Sequence, residues 1–157
     1  MLKRGVYVLL LVMIGCSVSN QGNSDSIRMV KLSFKECGPD LPYNKIELKI
    51  PEGFTQERFN DQHGFCEYRF SYLDESILYV SSNIYYGSSL NYQNRLNAGI
   101  KTYSNNRTLN DSISNSGRDN NQKYWMELVG SNYVIGYLNY PDSISITELF
   151  QDIMLIN

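Results

Sequence analysis

The fold is decided by residues 66–86, which read CEYRFSYLDESILYVSSNIYY. The first seven residues alternate, with Cys66, Tyr68, Phe70 and Tyr72 on one face and Glu67, Arg69 and Ser71 on the other. Alternation with a period of two predicts a strand, and the turn residues 74–76 return the chain as a second strand over 77–86. This return strand is apolar on both faces, which predicts a central position in a sheet that is covered on both sides.

Weaker patterns on either side extend this hairpin into an antiparallel sheet. Residues 27–34 alternate loosely and residues 45–50 strictly, so both are predicted strands, and the second ends at Pro51-Glu52-Gly53. Residues 54–63 are predicted as a loop or a single turn. A second hairpin is predicted from 123–129 and 133–140, after a polar stretch over 104–122 that is expected to be a surface loop or a short edge strand near 109–113.

Two helices are predicted to pack on this sheet. Residues 90–103 carry Tyr92, Leu96, Ile100 and Tyr103 at helical spacing. Ser145 and Glu148 form a capping box that leads into a helix whose apolar face is Ile146, Leu149, Phe150, Ile153 and Met154. The sequence therefore predicts a single α+β domain over 27–157, an antiparallel sheet of hairpins with two helices packed on it. This order of elements, with the strand ending Lys49-Ile50-Pro51-Glu52-Gly53-Phe54, resembles the PsbP-like folds.

The chain begins with the pattern of an export signal. Lys3-Arg4 precede an apolar run over 5–14, which is about half the length of a membrane-spanning helix, so a permanent span is disfavoured. The run ends in Met13-Ile14-Gly15-Cys16, which resembles the lipobox of bacterial lipoproteins, although Met13 stands where that family usually has Leu, Val or Ile. The resemblance implies a signal peptide over 1–15, diacylation of Cys16 and anchoring in a membrane. The alternative is an ordinary cleaved signal with an incidental Cys16.

Residues 16–26 are predicted to be the lipidated cysteine and a flexible tether, because this polar, Ser- and Asn-rich segment cannot bury enough apolar surface to fold. Loss of residues 1–15 leaves 12 basic against 16 acidic residues, a net charge of −4. That mild acidity argues against nucleic acid as a partner. We expect a lipid-anchored protein of the outer membrane, with the periplasmic side favoured and the cell surface as the alternative.

Acylation of Cys16 would leave two of the three cysteines, Cys37 and Cys66. Export places them in an oxidising compartment, where an even pair is expected to form a disulfide. Two buried free thiols are the alternative.

The residues that usually carry catalysis are sparse. The single histidine, His63, cannot form a two-histidine metal site, and the sequence has no Cys-x-x-Cys pair, phosphate loop or nucleophile elbow. We therefore predict no metal and no cofactor, and lean against an enzyme. A small envelope hydrolase that uses paired carboxylates remains an alternative, with candidate acids Glu52, Glu57, Asp61, Asp74, Glu75 and Glu127.

Aromatic residues are the better functional indication, since the chain holds thirteen tyrosines. Trp125, Tyr124 and Tyr137 are candidate ligand-facing residues of the second hairpin, suited to stacking on a sugar or to docking a protein. Tyr85-Tyr86 precede a Gly-Ser-Ser loop and are a further aromatic group. The alternative for Trp125 is a place in the core, which is favoured if both faces of the sheet are covered.

The tripeptide Asp-Ser-Ile occurs three times, with its serine at Ser26, Ser112 and Ser143. It resembles the acceptor for O-glycosylation of exported proteins in the Bacteroidota, and with the Asn- and Tyr-rich composition it makes the chain similar to small lipoproteins of that phylum. Asp-Ser is also common in turns through its own hydrogen bonds. The leading hypothesis is a membrane-anchored envelope lipoprotein with a non-catalytic domain for a protein or glycan partner. An immunity or inhibitor lipoprotein is a further alternative.

Overall fold

The computed structural model describes residues 26–37, 43–60, 65–103 and 113–156. These residues form nine strands and two short helices. In chain order the elements are β1 (Ile27–Ser33), β2 (Lys45–Pro51), β3 (Thr55–Asn60), β4 (Cys66–Ser71), β5 (Ile77–Ser81), α1 (Tyr92–Asn97), β6 (Ile113–Arg118), β7 (Tyr124–Val129), β8 (Val134–Tyr140), α2 (Ile146–Leu149) and β9 (Gln151–Ile156). The predicted α+β class with antiparallel pairing is confirmed for this part of the chain.

The strands form two antiparallel sheets, where the sequence predicted one. The smaller sheet has the order β1-β2-β9 and the larger one the order β3-β4-β5-β8-β7-β6. Strand β5 lies inside the larger sheet, and its residues 78–80 are buried whichever face they point to. The predicted central position of this strand is therefore confirmed. Its length is not, because the strand ends at Ser81 and the chain then turns.

The main core lies between the two sheets. In β2 the predicted alternation is confirmed, with Ile46, Leu48 and Ile50 buried and Lys45 exposed. In β4 the apolar face is likewise buried, at Tyr68 and Phe70. Each inward face removes apolar side chains from water, which is the main driving force for packing the sheets.

The disulfide between Cys37 and Cys66 joins the two sheets. Cys37 follows β1 of the smaller sheet and Cys66 begins β4 of the larger one, with their Cα atoms 5.3 Å apart. Both residues are buried. The predicted disulfide is confirmed, and it links the segment after β1 in the smaller sheet covalently to the beginning of β4 in the larger sheet.

Both predicted helices are much shorter than expected. The first spans Tyr92–Asn97, because Gly99 adopts the left-handed backbone (φ +79°) that ends helices. Its buried residue is Arg95, while Tyr92 of the predicted apolar stripe is exposed. The helix prediction for 90–103 was therefore wrong in both length and face.

The capping box is confirmed, since the Ser145 hydroxyl accepts from the Glu148 amide and the Glu148 carboxylate accepts from the Ser145 amide. The helix nevertheless ends at Leu149, and the chain continues as β9, which pairs with β2. Of the predicted helical face, Met154 is exposed. The predicted continuation of the helix beyond Leu149 was therefore wrong, because these residues form hydrogen bonds with the backbone of β2.

Two edge strands of the larger sheet also depart from the predictions. Residues predicted as a loop contain β3, a strand whose six residues are all exposed and therefore show no alternation. At the opposite edge β6 begins at Ile113, where the predicted short strand was to end; residues 104–112 lie outside the described part of the chain.

Candidate functional site

The segment from 82 to 103, which includes α1, covers the face of the larger sheet that points away from the smaller sheet. A second apolar cluster lies beneath it, formed by Tyr79, Tyr103, Trp125, Val129, Val134 and Leu138. Trp125 is 1% exposed and Tyr137, which lies in the main core, is 0% exposed. Both were candidate ligand-facing residues, and their burial contradicts that prediction while it agrees with the core alternative for Trp125.

A buried ion pair holds the covering segment to the sheet. Arg95 of α1 donates from Nη1 to both carboxylate oxygens of Glu127 on β7, at 2.9 and 3.1 Å. The Tyr103 hydroxyl donates to the same carboxylate. Glu127 is 0% exposed. A charge so deeply buried is tolerated because it has an opposite charge and further hydrogen bonds as partners.

The same ion pair fixes the turn at residues 86–88. Arg95 donates from Nη2 to the Tyr86 carbonyl and from Nη1 to the Ser88 carbonyl at 2.9 Å. The Ser88 amide donates to Glu127 Oε1 at 3.3 Å. Gly87 sits between them at φ +64°, and a Cβ there would lie 2.8 Å from Arg95 Nη1. The turn can approach the ion pair this closely because residue 87 has no side chain.

Tyr79 of β5 lies beside this ion pair. Its ring occupies the space over Gly136 of β8, where a Cβ would come within 2.4 Å of the hydroxyl. Burial raises the pKa of Tyr79 well above its usual value, and the nearby negative charge of Glu127 raises it further. The phenol therefore stays neutral and fills the core beneath the covering segment.

Beside the covering segment is an open groove of about 1030 Å³. It lies between the edge strand β3, strands β4 and β5, the turn at 86–89 and helix α1. Its described lining residues are Phe59, Asn60, Phe65, Cys66, Glu67, Arg69, Ser81, Asn83, Tyr86, Gly87, Ser89, Tyr92 and Arg95. These residues come from four separate parts of the sequence, which meet through the strand order of the larger sheet.

The floor of the groove carries a second ion pair, between Glu67 and Arg69 of β4. Arg69 donates from Nε to Glu67 Oε1 at 2.6 Å and from Nη2 to the Ser89 hydroxyl at 2.9 Å. Its guanidinium also lies 3.8 Å from the centre of the Phe59 ring. Burial raises the pKa of the Glu67 carboxyl, and Arg69 opposes this rise. The two side chains therefore present a neutralised, hydrogen-bonding surface.

Three aromatic side chains stand around this floor and are exposed. Phe59 is 39%, Tyr92 48% and Tyr86 54% exposed. The apolar surface of an exposed aromatic ring stays in contact with water, which is unfavourable. Several such rings grouped around one concave site are typical of ligand binding. Tyr86 belongs to the Tyr85-Tyr86 pair that the sequence analysis named as an aromatic group. No sequence pattern marked Phe59 or Tyr92 as a ligand-binding residue.

The other predicted site residues lie apart from the groove or outside the described residues. Tyr124 is half-buried on β7, with the Arg118 guanidinium 4.5 Å from its ring centre. Of the predicted modification sites, Ser26 and Ser143 are exposed. Cys16, Ser112 and His63 lie outside the described residues.

Comparison with protein-family models, curated proteins and solved structures finds no match to this chain. The resemblance to PsbP-like folds therefore stays a prediction. In the described ranges, no helix has the length and apolar character needed to cross a bilayer. The same ranges contain no group of three or more histidine, cysteine or acidic side chains arranged to hold a metal ion.

Proposed function

We propose that this protein is an envelope lipoprotein, anchored through Cys16, whose α+β domain binds an envelope ligand in the groove without transforming it. The ligand class in this proposal is a protein or a glycan. The anchor rests on the Gly15-Cys16 lipobox at the end of an apolar run and on the polar tether that follows. We propose the outer membrane as its location, with the domain on the periplasmic side.

The observation that carries the binding proposal is the grouping of Phe59, Tyr86 and Tyr92 around the groove. All three are exposed, and exposed apolar side chains that are grouped at one place mark interaction sites. Binding a ligand would cover them and recover the hydrophobic free energy that their exposure forgoes. The groove is also large enough for a ligand of several rings.

Binding is favoured over hydrolysis by the state of the buried carboxylates. Glu67 is paired with Arg69 and Glu127 with Arg95, at 2.6 and 2.9 Å. A two-carboxylate hydrolase needs one acid that can give up a proton and a second group that is ionised and near the same bond. In each pair the buried carboxylate faces an arginine and not a second acid, so neither pair supplies the two carboxyl groups of this mechanism.

The anchor predicts that palmitate labels the wild-type protein and that Cys16→Ser removes the label. The matched control is Cys37→Ser, which changes a cysteine of the disulfide and should keep the label. Metabolic labelling of cells that express each variant, followed by gel fluorography, checks this prediction. Equal labelling of wild type and Cys16→Ser would contradict the lipoprotein proposal.

The groove predicts a site-specific photo-cross-link in the native envelope. Benzoylphenylalanine placed at Tyr92 keeps an aromatic side chain at the rim, and ultraviolet light should attach it to the bound ligand. In this background Tyr86→Ala should lower the yield about tenfold, because losing an aromatic contact with the ligand costs ~1–2 kcal/mol of binding free energy. The measurement is the fraction of full-length lipidated protein that shifts in mass.

The matched control for the cross-link is Tyr85→Ala. Tyr85 is 40% exposed and adjacent in sequence, but it does not line the groove. Its replacement should leave the yield unchanged. The binding proposal fails if benzoylphenylalanine at Tyr92 gives no more product than the same probe at Met29, which is 46% exposed on β1 of the other sheet.

A further inference from the structure

The geometry of the groove points to a neutral glycan as its ligand. This inference rests on the binding function proposed above and narrows the ligand to one chemical class. We infer that the rims of the groove stack on the apolar faces of sugar rings, while its floor binds their hydroxyl groups.

The first argument is the charge balance of the described lining, which contains three charged side chains. Glu67 and Arg69 neutralise each other at 2.6 Å, and Arg95 is paired with Glu127 at 2.9 Å. An anionic ligand at Arg69 would also meet the negative charge of Glu67, and a cationic ligand at Glu67 would also meet the positive charge of Arg69. A neutral ligand leaves both ion pairs intact, and this favours it by electrostatic complementarity.

The second argument is the chemistry of the floor. A sugar hydroxyl donates one hydrogen bond and accepts others, so neighbouring hydroxyls are best matched by a donor and an acceptor side by side. A guanidinium only donates and a carboxylate only accepts. Arg69 and Glu67 place these two groups next to each other on one strand, and Asn60 and Ser89 add groups of mixed character at the edges.

The third argument is the arrangement of the aromatic rings. The C–H faces of a pyranose ring are apolar, and they pack well against the faces of aromatic side chains. Tyr86 and Tyr92 come from the turn and the helix on one side of the groove, and Phe59 comes from β3 on the other side. A chain of sugar rings between them would meet aromatic surface on both sides and polar groups below.

The size of the groove favours a glycan over a folded protein. Stable protein interfaces bury about 800 Å² on each partner, contributed by about 20–30 residues a side. A concave site of about 1030 Å³ instead has the dimensions of a small-ligand site. The Phe59 ring is further backed by the Arg69 guanidinium at 3.8 Å, which holds it in place for stacking.

The test is the chemical composition of the adduct formed in the native envelope by the full-length lipidated protein with benzoylphenylalanine at Tyr92. We expect mass spectrometry of the tryptic peptide that contains residue 92 to show added hexose or N-acetylhexosamine residues. Periodate treatment should degrade this adduct. Tyr86→Ala should reduce its amount about tenfold, and Tyr85→Ala should leave it unchanged.

An adduct made of peptide, or of sugars that carry carboxylate or phosphate groups, would overturn the neutral-glycan inference. Either result would leave the proposed binding function standing, because the groove would still hold an envelope ligand. If the probe at Tyr92 gives no more product than the probe at Met29, both the binding function and the glycan inference fail.

Discussion

Glu127→Gln is expected to lower the free energy of unfolding by about 3–5 kcal/mol, because it leaves the Arg95 guanidinium buried without an opposite charge. The side chains of Arg95 and Glu127 are 2% and 0% exposed, so water cannot replace the lost partner. Proteins of this kind are stable by about 5–15 kcal/mol in total. Urea unfolding followed by the fluorescence of Trp125, the single tryptophan, measures the change.

A double-mutant cycle separates the ion pair from other effects of the substitution. Arg95→Met combined with Glu127→Gln should cost clearly less than the sum of the two single changes, because the double variant leaves no buried charge. Additive effects would contradict this account. The matched control is Lys31→Met in the Lys31–Glu47 pair, where the lysine side chain is 70% exposed and the expected loss is at most about 1 kcal/mol.

Loss of the disulfide is the second large expected effect. Replacing both Cys37 and Cys66 by alanine should lower the free energy of unfolding by about 3–4 kcal/mol, the chain-entropy value for closing a loop of about 30 residues. The sequence separation of the two cysteines is 29. Urea unfolding with and without dithiothreitol provides the measurement.

Reduction should lower the unfolding midpoint of the wild type and leave the double alanine variant unchanged. Cys16→Ala is the control, because it removes the third cysteine and keeps the bridge. An equal response of the double variant to dithiothreitol would contradict the assigned bridge. Groove binding should survive the loss of the disulfide at low temperature, because Arg95 and Glu127 hold the turn at 86–88 independently of Cys37.

Local sequence patterns predicted those features that depend on nearby residues alone. Alternation in 45–50 identified the buried face of β2, and Ser145 with Glu148 identified the beginning of α2. Local patterns gave wrong predictions where an apolar run is compatible with both a helix and a strand. Ile153 and Met154 were assigned to a helix, yet they lie in β9, because the backbone of β2 offered a partner that spacing along the chain cannot indicate.

The candidate site was harder to predict, because its parts are distant in sequence. For Trp125 a ligand-facing position and a place in the core were both considered, the core being favoured, and it is buried because the segment over 82–103 covers its strand. Glu127 was considered as a hydrolase acid, and it is the partner of Arg95. Both assignments depend on which segment packs on the outer face of the larger sheet. A hydrophobic pattern predicts that a face is buried, but it does not identify the segment that packs against it.

The sequence by itself predicted the antiparallel strand character and the capping box, since alternation and local hydrogen bonding are properties of the chain. It also predicted the Cys37–Cys66 disulfide, on the expectation that Cys16 is acylated, and left two free thiols as the alternative. The tertiary structure alone decided the division into two sheets, the buried Arg95–Glu127 pair and the groove. The physical reason is that these features arise from contacts between segments far apart in the chain. Their free energy depends on which surfaces meet, and no local pattern specifies that choice.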